Sequence, residues 1–453
     1  MRTRVSTGTR YREISGSAPA TLRPILCVAA LLISLALVYG AIRAGHGLRS
    51  EHWLLAVALA GLFVARGLHL FRPVTLVHVT MAVVAIVVGD FAYRADHLGI
   101  GFVAIAAAGL MLMLPQRSTP QPQELCRVAG LVDRTEDDPL APFAFHSSKS
   151  YYFNEAGTAA IAYRTRIGMA VVAGDPIGNA DDFPELINEF AEFARLHGWR
   201  IAVLGAGVRA TQLWRITTEK HPLAAVAIGR DVVIDVDTFA LEGRTFRNLR
   251  QAVSRTHNAG VSTEIVWETA ISDETRAELL AIVDEWHAGR QTRGFSMILD
   301  HLLDGRHPGM LLVIARDATG RAVGFQRYGT NSAGLELSID VPWRSKNSPN
   351  GIDERMTIDL IEHAKSIGAR RVSLAFAAFP ELFENEQRSL GASVAYATVH
   401  MGDALLCLES LYRFLRKFRS FGDQRFVLLR PVEVIPAAFA LLTLEFMPNR
   451  SQY

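Results

Sequence analysis

Cysteine is scarce in this chain of 453 residues, and its three thiols, Cys27, Cys126 and Cys407, lie far apart in the sequence. An odd number of widely spaced cysteines argues against a disulfide framework and against a cysteine-ligated zinc site, and it favours a reducing compartment. Charged residues make up only 20% of the chain and hydrophobic residues 50%. This composition excludes intrinsic disorder, and it is too polar for a protein that is embedded in a membrane throughout.

Common catalytic fingerprints are also missing. The sequence has no Gly-x-Ser-x-Gly, no phosphate-loop lysine motif and no dinucleotide-binding fingerprint. His301 and His307 lack the i, i+4 spacing of a helical zinc pair. We therefore predict neither a metal nor a cofactor.

Long apolar runs are confined to the first quarter of the chain, and the first of them contains no charged residue at all. Each of four such stretches is close to the ~20 residues that a helix needs to cross a bilayer core. A cleaved signal peptide would account for the first stretch but not for the next three. The sequence therefore predicts four transmembrane helices, at about 24–42, 53–71, 73–93 and 98–114.

The arginines that flank these stretches predict the orientation in the membrane. With the N-terminal tail, residues 1–23, on the cytoplasmic side, nine arginines lie inside and three outside. After four crossings, the long C-terminal region is also cytoplasmic. We expect a multi-pass protein of the cell membrane.

A proline-rich segment separates the membrane region from the rest. Residues 115–123 contain three prolines and no aliphatic residue, so residues 115–124 are predicted to form a linker. From residue 128 onward the chain has 35 basic and 40 acidic residues, a net charge of −5. This mildly acidic balance argues against a general nucleic-acid coat, and any contact with RNA has to be a local patch.

Strand and helix patterns alternate in the C-terminal region and follow the same plan twice. Each half is predicted to contain several meandering strands, then a loop, a helix and a further strand. The predicted elements include strands near 225–228 and 232–236, a strand at 310–316 and a helix at 351–367. This plan is the core of the acetyltransferase fold, although other α/β folds share it. We predict an α/β protein with two tandem acetyltransferase-like units, 125–267 and 268–453.

The loop and helix that begin near residue 350 are the most informative part of this region. Asn350 and Gly351 can begin a helix whose free N–H groups would bind an anion. The preceding loop lacks the glycines that acetyl-coenzyme A enzymes use there, which argues against coenzyme A. Asp353 and Glu354 open the same helix, and they either complement the helix dipole or recognise a substrate ammonium group.

Three further segments could contact substrates. Arg244, Arg247 and Arg250 are spaced at i, i+3 and i+6 on a predicted helix at 242–257, and they form either a phosphate track or a solvated face. A predicted helix at 404–418 has an apolar side and a basic side, suited to anionic lipid, to RNA phosphate or to core packing. The turn at 174–178 contains Asp175, which either forms the turn or takes part in chemistry.

Five motifs occur in a fixed order and carry a resemblance. Together they resemble the C-terminal catalytic domain of the phosphatidylglycerol lysyltransferase (multiple peptide resistance factor) family. The resemblance covers roughly residues 125–445 and is most similar to the actinobacterial membrane-bound branch. The motifs are Phe145 to Phe153, Val172 to Gly178, Gly243 to Arg250, Asn350 to Met356, and Ser410 to Phe418.

The resemblance implies a fold and an activity. The fold is a pair of tandem acetyltransferase-like units with the active site in a channel between them. The activity is transfer of an aminoacyl group, lysyl in the first instance, from aminoacyl-tRNA to the glycerol hydroxyl of phosphatidylglycerol. Charged tRNA and membrane lipid are the implied partners, and homo-oligomerisation is left open.

The resemblance also implies roles for individual residues. Asp353 and Glu354 would hold the ammonium groups of the amino acid, and Lys149 and Asp175 would line the channel as further catalytic residues. The resemblance has Arg413 and Lys417 face lipid or tRNA phosphate, and these two join the other residues that we predict to bind substrate. They are Asn350, Gly351, Arg244, Arg247, Arg250, Tyr412, Arg413, Lys417 and Arg425.

Departures from the family pattern keep other interpretations open. Four membrane helices are too few for the larger membrane region of the family, so we do not expect lipid flipping. Leu415 stands where the lysyltransferases often have lysine, which leaves the amino acid open. The alternatives are an acetyltransferase-fold enzyme that uses acyl-coenzyme A or another acceptor, and a non-catalytic protein that binds anionic lipid.

Overall fold

The computed structural model divides the chain into two compact units. The first comprises residues 1–119, 165–170 and 191–201, and the second comprises 120–164, 171–190 and 202–453. The structure describes residues 48–69, 72, 74, 76–218, 222–287, 299, 301–307, 309–378, 380 and 408–446.

The first unit contains three apolar helices, α1 (Leu48–His69), α2 (Leu76–Arg94) and α3 (Leu98–Leu112). Helix α3 packs against both of the others. Glycine permits the close approach of α3 to α1, because a Cβ atom at Gly109 would lie 2.3 Å from the carbonyl oxygen of Ala60. Small residues at such crossings let helix backbones pack tightly where water is absent.

These helices coincide with three of the four predicted membrane segments. Within the described residues, one helix, over Val77–Arg94, is long and apolar enough to cross a membrane. The apolar parts of α1 and α3, Trp53–Leu68 and Leu98–Leu112, are shorter. The segment 24–42 lies outside the described residues, so four transmembrane helices stay a prediction.

The second unit is built on a mixed β-sheet to which the described residues contribute twelve strands. The strand order is β1-β2-β3-β5-β12-β6-β11-β10-β9-β8-β7, with β4 paired to β2. The strands are β1 (Ser150–Phe153), β2 (Ala159–Arg166), β3 (Met169–Ala173), β4 (Ile177–Gly178), β5 (Arg200–Ala206), β6 (Ala224–Asp235), β7 (Ser262–Trp267), β8 (Met310–Arg316), β9 (Ala322–Asn331), β10 (Glu336–Arg344), β11 (Arg371–Ala378) and β12 (Phe421–Leu429).

Eight described helices connect or cover these strands. They are α4 (Leu125–Arg134), α5 (Phe183–Leu196), α6 (Val208–Thr217), α7 (Arg247–Asn258), α8 (Asp273–His287), α9 (Ile352–Ser366), α10 (Leu408–Leu415) and α11 (Val434–Phe446). Helices α7 and α9 pack against each other. The largest buried cluster includes side chains of α9 together with strands β6, β8, β10 and β11.

The sheet order shows that the two halves exchange their last strands. Strand β6 ends the first half of the chain but pairs with β11 of the second, and β12 ends the second half but pairs with β5 of the first. The two exchanged strands also pair with each other, antiparallel. The mixed α/β sheet that the sequence predicted is therefore confirmed, whereas the exchange could not be read from the order of elements.

Several predicted elements differ in extent. The sequence predicted two strands in 225–236, but β6 is continuous, because strands on both sides pair with it through the polar residues near Arg230. Helix α7 begins at Arg247 rather than at 242. The prediction assigned strand β7 to the first acetyltransferase-like unit, 125–267, but it pairs with β8, which lies in the second such unit, 268–453. Helices α4, α6 and α11 and strand β12 were not predicted.

Candidate active site

Two adjacent strands diverge at the candidate site. Strands β10 and β11 are parallel, and they pair only where residues 336–338 face residues 371–373. Both strands then become irregular in their pairing with their outer neighbours, β10 after Ile339 and β11 after Ser373. Ala375 adopts a φ of 65°, in the left-handed region. Beyond these residues the two strands no longer pair, and the chain runs from the carboxyl end of β10 into α9.

Helix α9 begins at a residue that has to be glycine. Gly351 is the N-cap, with a φ of 99°, and no side chain caps the helix. A Cβ atom there would lie 2.9 Å from the Cβ of Ala252 in α7. The close approach of α7 and the left-handed backbone both select glycine, and they place Asp353 and Glu354 in the first turn.

One carboxylate oxygen of Asp353 accepts no hydrogen bond from the described residues. Its Oδ2 lies 3.3 Å from a guanidinium nitrogen of Arg344, and its side chain is 18% exposed. Its Oδ1 is buried and has no hydrogen-bond partner among the described residues. Burial raises the pKa of Asp353 to about 6; Arg344 and Lys417 oppose this rise, and Glu354 adds to it. An ionised carboxylate with a vacant acceptor is suited to receive a cationic donor.

Glu354 is more deeply buried and has a cationic partner. Its Oε1 accepts a hydrogen bond from Nζ of Lys417, which lies just beyond the end of α10. The sequence predicted that Lys417 faces lipid or tRNA phosphate. In the structure this side chain pairs with Glu354, because the apolar residues Leu415 and Phe418 anchor this segment in the core.

A row of buried polar side chains supports the first turn of α9 from strand β9. The hydroxyl of Tyr328 donates to Oε1 of Gln326 at 2.8 Å. The amide of Gln326 donates to the backbone carbonyl of Asp353 at 3.1 Å. Because these groups are buried and satisfied by one another, they hold the acid pair in a fixed position.

Arg425, predicted to bind substrate, is instead the centre of a buried charge cluster. Its guanidinium lies within 2.7–3.2 Å of carboxylate oxygens of Asp138, Asp175 and Asp231, and its side chain is 3% exposed. It also donates to the carbonyl of Gly205 at 3.2 Å. We call these four charged residues the Arg425 cluster. One cation faces three acids here, so the cluster has fewer positive groups than acidic ones.

The Arg425 cluster ties together the exchanged strands. Arg425 is on β12 and Asp231 is on β6, while Asp175 follows β3 and accepts a hydrogen bond from the backbone N–H of Gly207 at 2.9 Å. Burial raises the pKa of Asp175 to about 7 and that of Asp231 to about 6, although Arg425 opposes both rises. Asp175 is thus placed in a structural ion cluster; its predicted role in catalysis stays a prediction.

Lys149, the fourth predicted catalytic residue, is completely buried. Its Nζ donates to the backbone carbonyl of Phe143 at 2.5 Å. The structure places this ammonium group inside the second unit, whereas the sequence led us to expect it on the wall of a channel.

The predicted arginine track is not formed as a single helical stripe. Arg244 lies in the turn before α7, and Arg247 is the exposed first residue of that helix. Arg250 is partly buried and donates to the carbonyl of Leu241 at 3.3 Å. The track was predicted from a helix that began too early, so only two of its members share the helix.

The remaining predicted substrate-binding residues are divided between surface and interior. Asn350 and Arg413 are exposed. Tyr412 is buried and stacks against Phe421, with ring centroids 6.1 Å apart. The structure therefore brings together Asp353, Glu354 and Lys417, and separately Asp175 and Arg425.

Sequence reasoning missed a second buried ion cluster in the second half of the chain. Arg327 is completely buried, 2.6 Å from Glu268 and 3.4 Å from Asp340. Burial raises the pKa of Asp340 to about 6. The available signal was the pair Gln326 and Arg327 directly after the apolar residues Ala322–Phe325, since a buried charge in a strand requires a partner.

Comparisons with known proteins now decide the family. Residues 129–428 match the family described as "Phosphatidylglycerol lysyltransferase, C-terminal". The chain belongs to this family. The family is named for a transferase, and the prediction that the chain is a transferase is confirmed.

Two curated mycobacterial proteins show how much of the chain is shared. The "MprF-like domain protein Rv1619" of Mycobacterium tuberculosis is 49% identical over 400 residues, which is 88% of this chain and 83% of that protein. The "Lysylphosphatidylglycerol biosynthesis bifunctional protein LysX" of Mycobacterium sp. (strain JLS) is 31% identical over 447 residues. That alignment covers 91% of this chain but only 40% of LysX.

Two solved structures share the fold. The C-terminal domain of an Agrobacterium fabrum protein described as a lysylphosphatidylglycerol synthetase aligns with a TM-score of 0.62 and 22% identity, covering 72% of this chain and 98% of that one. L-PGS from Bacillus licheniformis aligns with a TM-score of 0.59 and 21% identity, with the same coverage. At this identity the likeness shows a common fold.

Proposed function

We propose that this chain transfers an aminoacyl group, lysyl in the first instance, from aminoacyl-tRNA to phosphatidylglycerol. Family membership supports the reaction class, because the family and the LysX relatives are named for lysylphosphatidylglycerol synthesis. The acid pair at the start of α9 is the single observation within the site that carries the proposal.

The acid pair favours an ammonium group over the phosphates of coenzyme A. A helix that receives a pyrophosphate presents free N–H groups at its start. Here Asp353 and Glu354 occupy that turn; Glu354 pairs with Lys417, and Oδ2 of Asp353 lies 3.3 Å from Arg344. The vacant Oδ1 of Asp353 is then available to accept a hydrogen bond from the ammonium group of the aminoacyl ester.

The transfer is an exchange of one ester for another. The glycerol hydroxyl of the lipid attacks the ester carbonyl carbon, and the bond from that carbon to the ribose oxygen breaks. The hydroxyl proton ends on the ribose oxygen, so no redox partner or cofactor is required. Because bonds broken and formed are alike, orientation of the two substrates can supply much of the rate.

A membrane location follows from the acceptor. We propose a multi-pass membrane protein whose second unit is cytoplasmic, where charged tRNA is found. The apolar helices of the first unit and the arginine distribution of the sequence support this arrangement.

The proposal is tested with the purified full chain in phosphatidylglycerol vesicles supplied with radiolabelled lysyl-tRNA. We expect label in the lipid phase, and none after ribonuclease treatment of the donor. Asp353→Asn should remove most of this activity, because it keeps the shape of the side chain but loses its charge. Asp273→Asn is the matched control, since Asp273 also begins a helix but is 96% exposed.

Three results would count against the proposal. Label that enters lipid without tRNA would refute the donor. Full activity in Asp353→Asn would refute the site. Absence of label with lysyl-, alanyl- and arginyl-tRNA, together with tight binding of coenzyme A, would favour an acyl-coenzyme A enzyme.

A further inference from the structure

The last described helix exposes an apolar face that the catalytic proposal does not use. Along α11 and the turn before it, Val432 is 90% exposed, Ile435 83%, Phe439 58% and Leu442 55%. These residues are spaced by three, four and three positions, so they form one stripe of the helix.

The opposite face of the helix packs against the protein. Ala437, Ala440 and Leu444 are buried, at 0%, 0% and 3% exposure. Residues 434–444 contain no charged side chain at all. A surface helix of a water-soluble protein normally turns a polar face outward, and one that is apolar all round is surrounded by protein or lipid.

The size of the stripe indicates what covers it. The four side chains expose on the order of 500 Å² of apolar surface, a patch large enough to mark an interaction site. A stable interface with a second copy of this chain buries about 800 Å² on each partner. At 13 residues the helix is too short to cross a bilayer, which requires about 20.

We propose that the outward face of α11 lies in the interfacial layer of a phospholipid bilayer, parallel to the membrane plane. The choice of partner rests on the proposed function, in which the acceptor is a membrane lipid, and on the helix of the same chain, over Val77–Arg94, that is long and apolar enough to cross a membrane. A short, uncharged stripe on a folded support is suited to shallow insertion. The sequence left anionic lipid, RNA phosphate and core packing open for 404–418, and the apolar residues Leu415 and Phe418 of that segment are buried in the core.

Tryptophan placed on the stripe tests this contact directly. We compare the full chain carrying Phe439→Trp with the wild-type chain, both reconstituted in vesicles that contain phosphatidylglycerol and brominated phosphatidylcholine. The emission added by Trp at 439 should be quenched by the brominated lipid and protected from acrylamide in the water. Leu280→Trp is the matched control, because Leu280 is a 40% exposed leucine on helix α8; its added emission should respond to acrylamide.

Each other outcome overturns the inference. If acrylamide quenches the added emission of Phe439→Trp as strongly as that of Leu280→Trp, the stripe faces water. Protection from both quenchers would mean that protein covers it, either another part of this chain or a second copy.

An activity measurement separates this inference from the proposed function. The double variant Ile435→Gln, Phe439→Gln should lower the rate on phosphatidylglycerol in vesicles about tenfold, since each side chain loses much of its transfer energy. It should leave the rate on a water-soluble short-chain phosphatidylglycerol unchanged. An equal loss on both lipids would refute the docking role, whereas lipid quenching without turnover on any charged tRNA would refute the proposed function and leave the docking in place.

Discussion

Replacement of Arg425 by glutamine should be among the most destabilising single changes in this protein. The substitution keeps a polar but shorter side chain and removes the one cation that Asp138, Asp175 and Asp231 share. All three carboxylates contact the guanidinium at 2.7–3.2 Å, and the arginine is 3% exposed. Without a local rearrangement, water therefore cannot reach the three carboxylates and solvate them in place of the guanidinium.

The magnitude follows from the burial of the acids. Removal of one partner from a buried ion pair costs about 3–5 kcal/mol, because an uncompensated charge is left in the interior. Asp138 and Asp231 each already have one buried oxygen without a hydrogen-bond partner among the described residues. We therefore expect the upper part of this range, which corresponds to a fall in Tm of about 6–10 °C for a domain of this size.

The stability that Arg425→Gln loses should also depend on pH. Burial raises the pKa of Asp175 to about 7 and of Asp231 to about 6, above their unfolded values. Loss of Arg425 raises both pKa values further. Groups with a raised pKa bind more protons in the folded state, so their contribution to stability falls as pH rises from about 4 through the folded pKa. The difference between wild type and variant should be largest near pH 8 and smaller near pH 5.5.

Thermal unfolding of the full chain in detergent, followed by tryptophan fluorescence at several pH values, measures this effect. Arg195→Gln is the control, because Arg195 forms an exposed ion pair with Glu192 and should cost less than about 1 kcal/mol. If Arg425→Gln shifts Tm by no more than the control, or by the same amount at pH 5.5 and pH 8, the ion cluster does not hold the exchanged strands together.

Three further predictions concern the start of α9. Aminoacyl transfer by the wild-type protein should fall as pH is lowered through about 6, the raised pKa of Asp353, because only the carboxylate binds a cation; a pH–rate profile flat down to pH 4.5 would contradict this. Gly351→Ala should cost about 2 kcal/mol in thermal unfolding, because of its φ of 99° and the 2.9 Å approach to Ala252, and an unchanged Tm would show that the turn adapts. A double-mutant cycle of Glu354→Gln and Lys417→Met should give a coupling of about 1 kcal/mol, limited by the solvent that reaches Lys417, and additive losses would mean that the pair is not formed.

Local patterns predicted much of the fold because they depend on neighbours in the chain. Strand β8 was predicted at 310–316 and lies at Met310–Arg316, and helix α9 was predicted at 351–367 and lies at Ile352–Ser366. Both have a continuous or periodic apolar pattern that favours one conformation whatever packs against it. Strand β12 was missed because Gly422, Asp423 and Gln424 interrupt its pattern, and its conformation is stabilised by pairing with β5 and β6.

The candidate site was predictable to the same extent. The acid pair of α9 was found because both residues follow a turn signal and are adjacent in the sequence. Arg344 was not proposed as their partner, and Lys417 was assigned to phosphate rather than to Glu354, 63 positions away. A spacing rule cannot reach such partners, because their proximity results from the packing of whole elements.

The sequence by itself determined the apolar helices, the mixed α/β character, the ordered motifs and the glycine and acids that begin α9. These features depend on periodicity, on turn chemistry and on residues within a few positions of one another. Only the tertiary structure decided that β6 and β12 change places, that Arg425 is buried among acids up to 287 positions away, and that α11 turns an apolar face outward. The physical reason is that burial and ion pairing depend on what surrounds a side chain in space, and chain exchange brings together residues from opposite ends of the sequence.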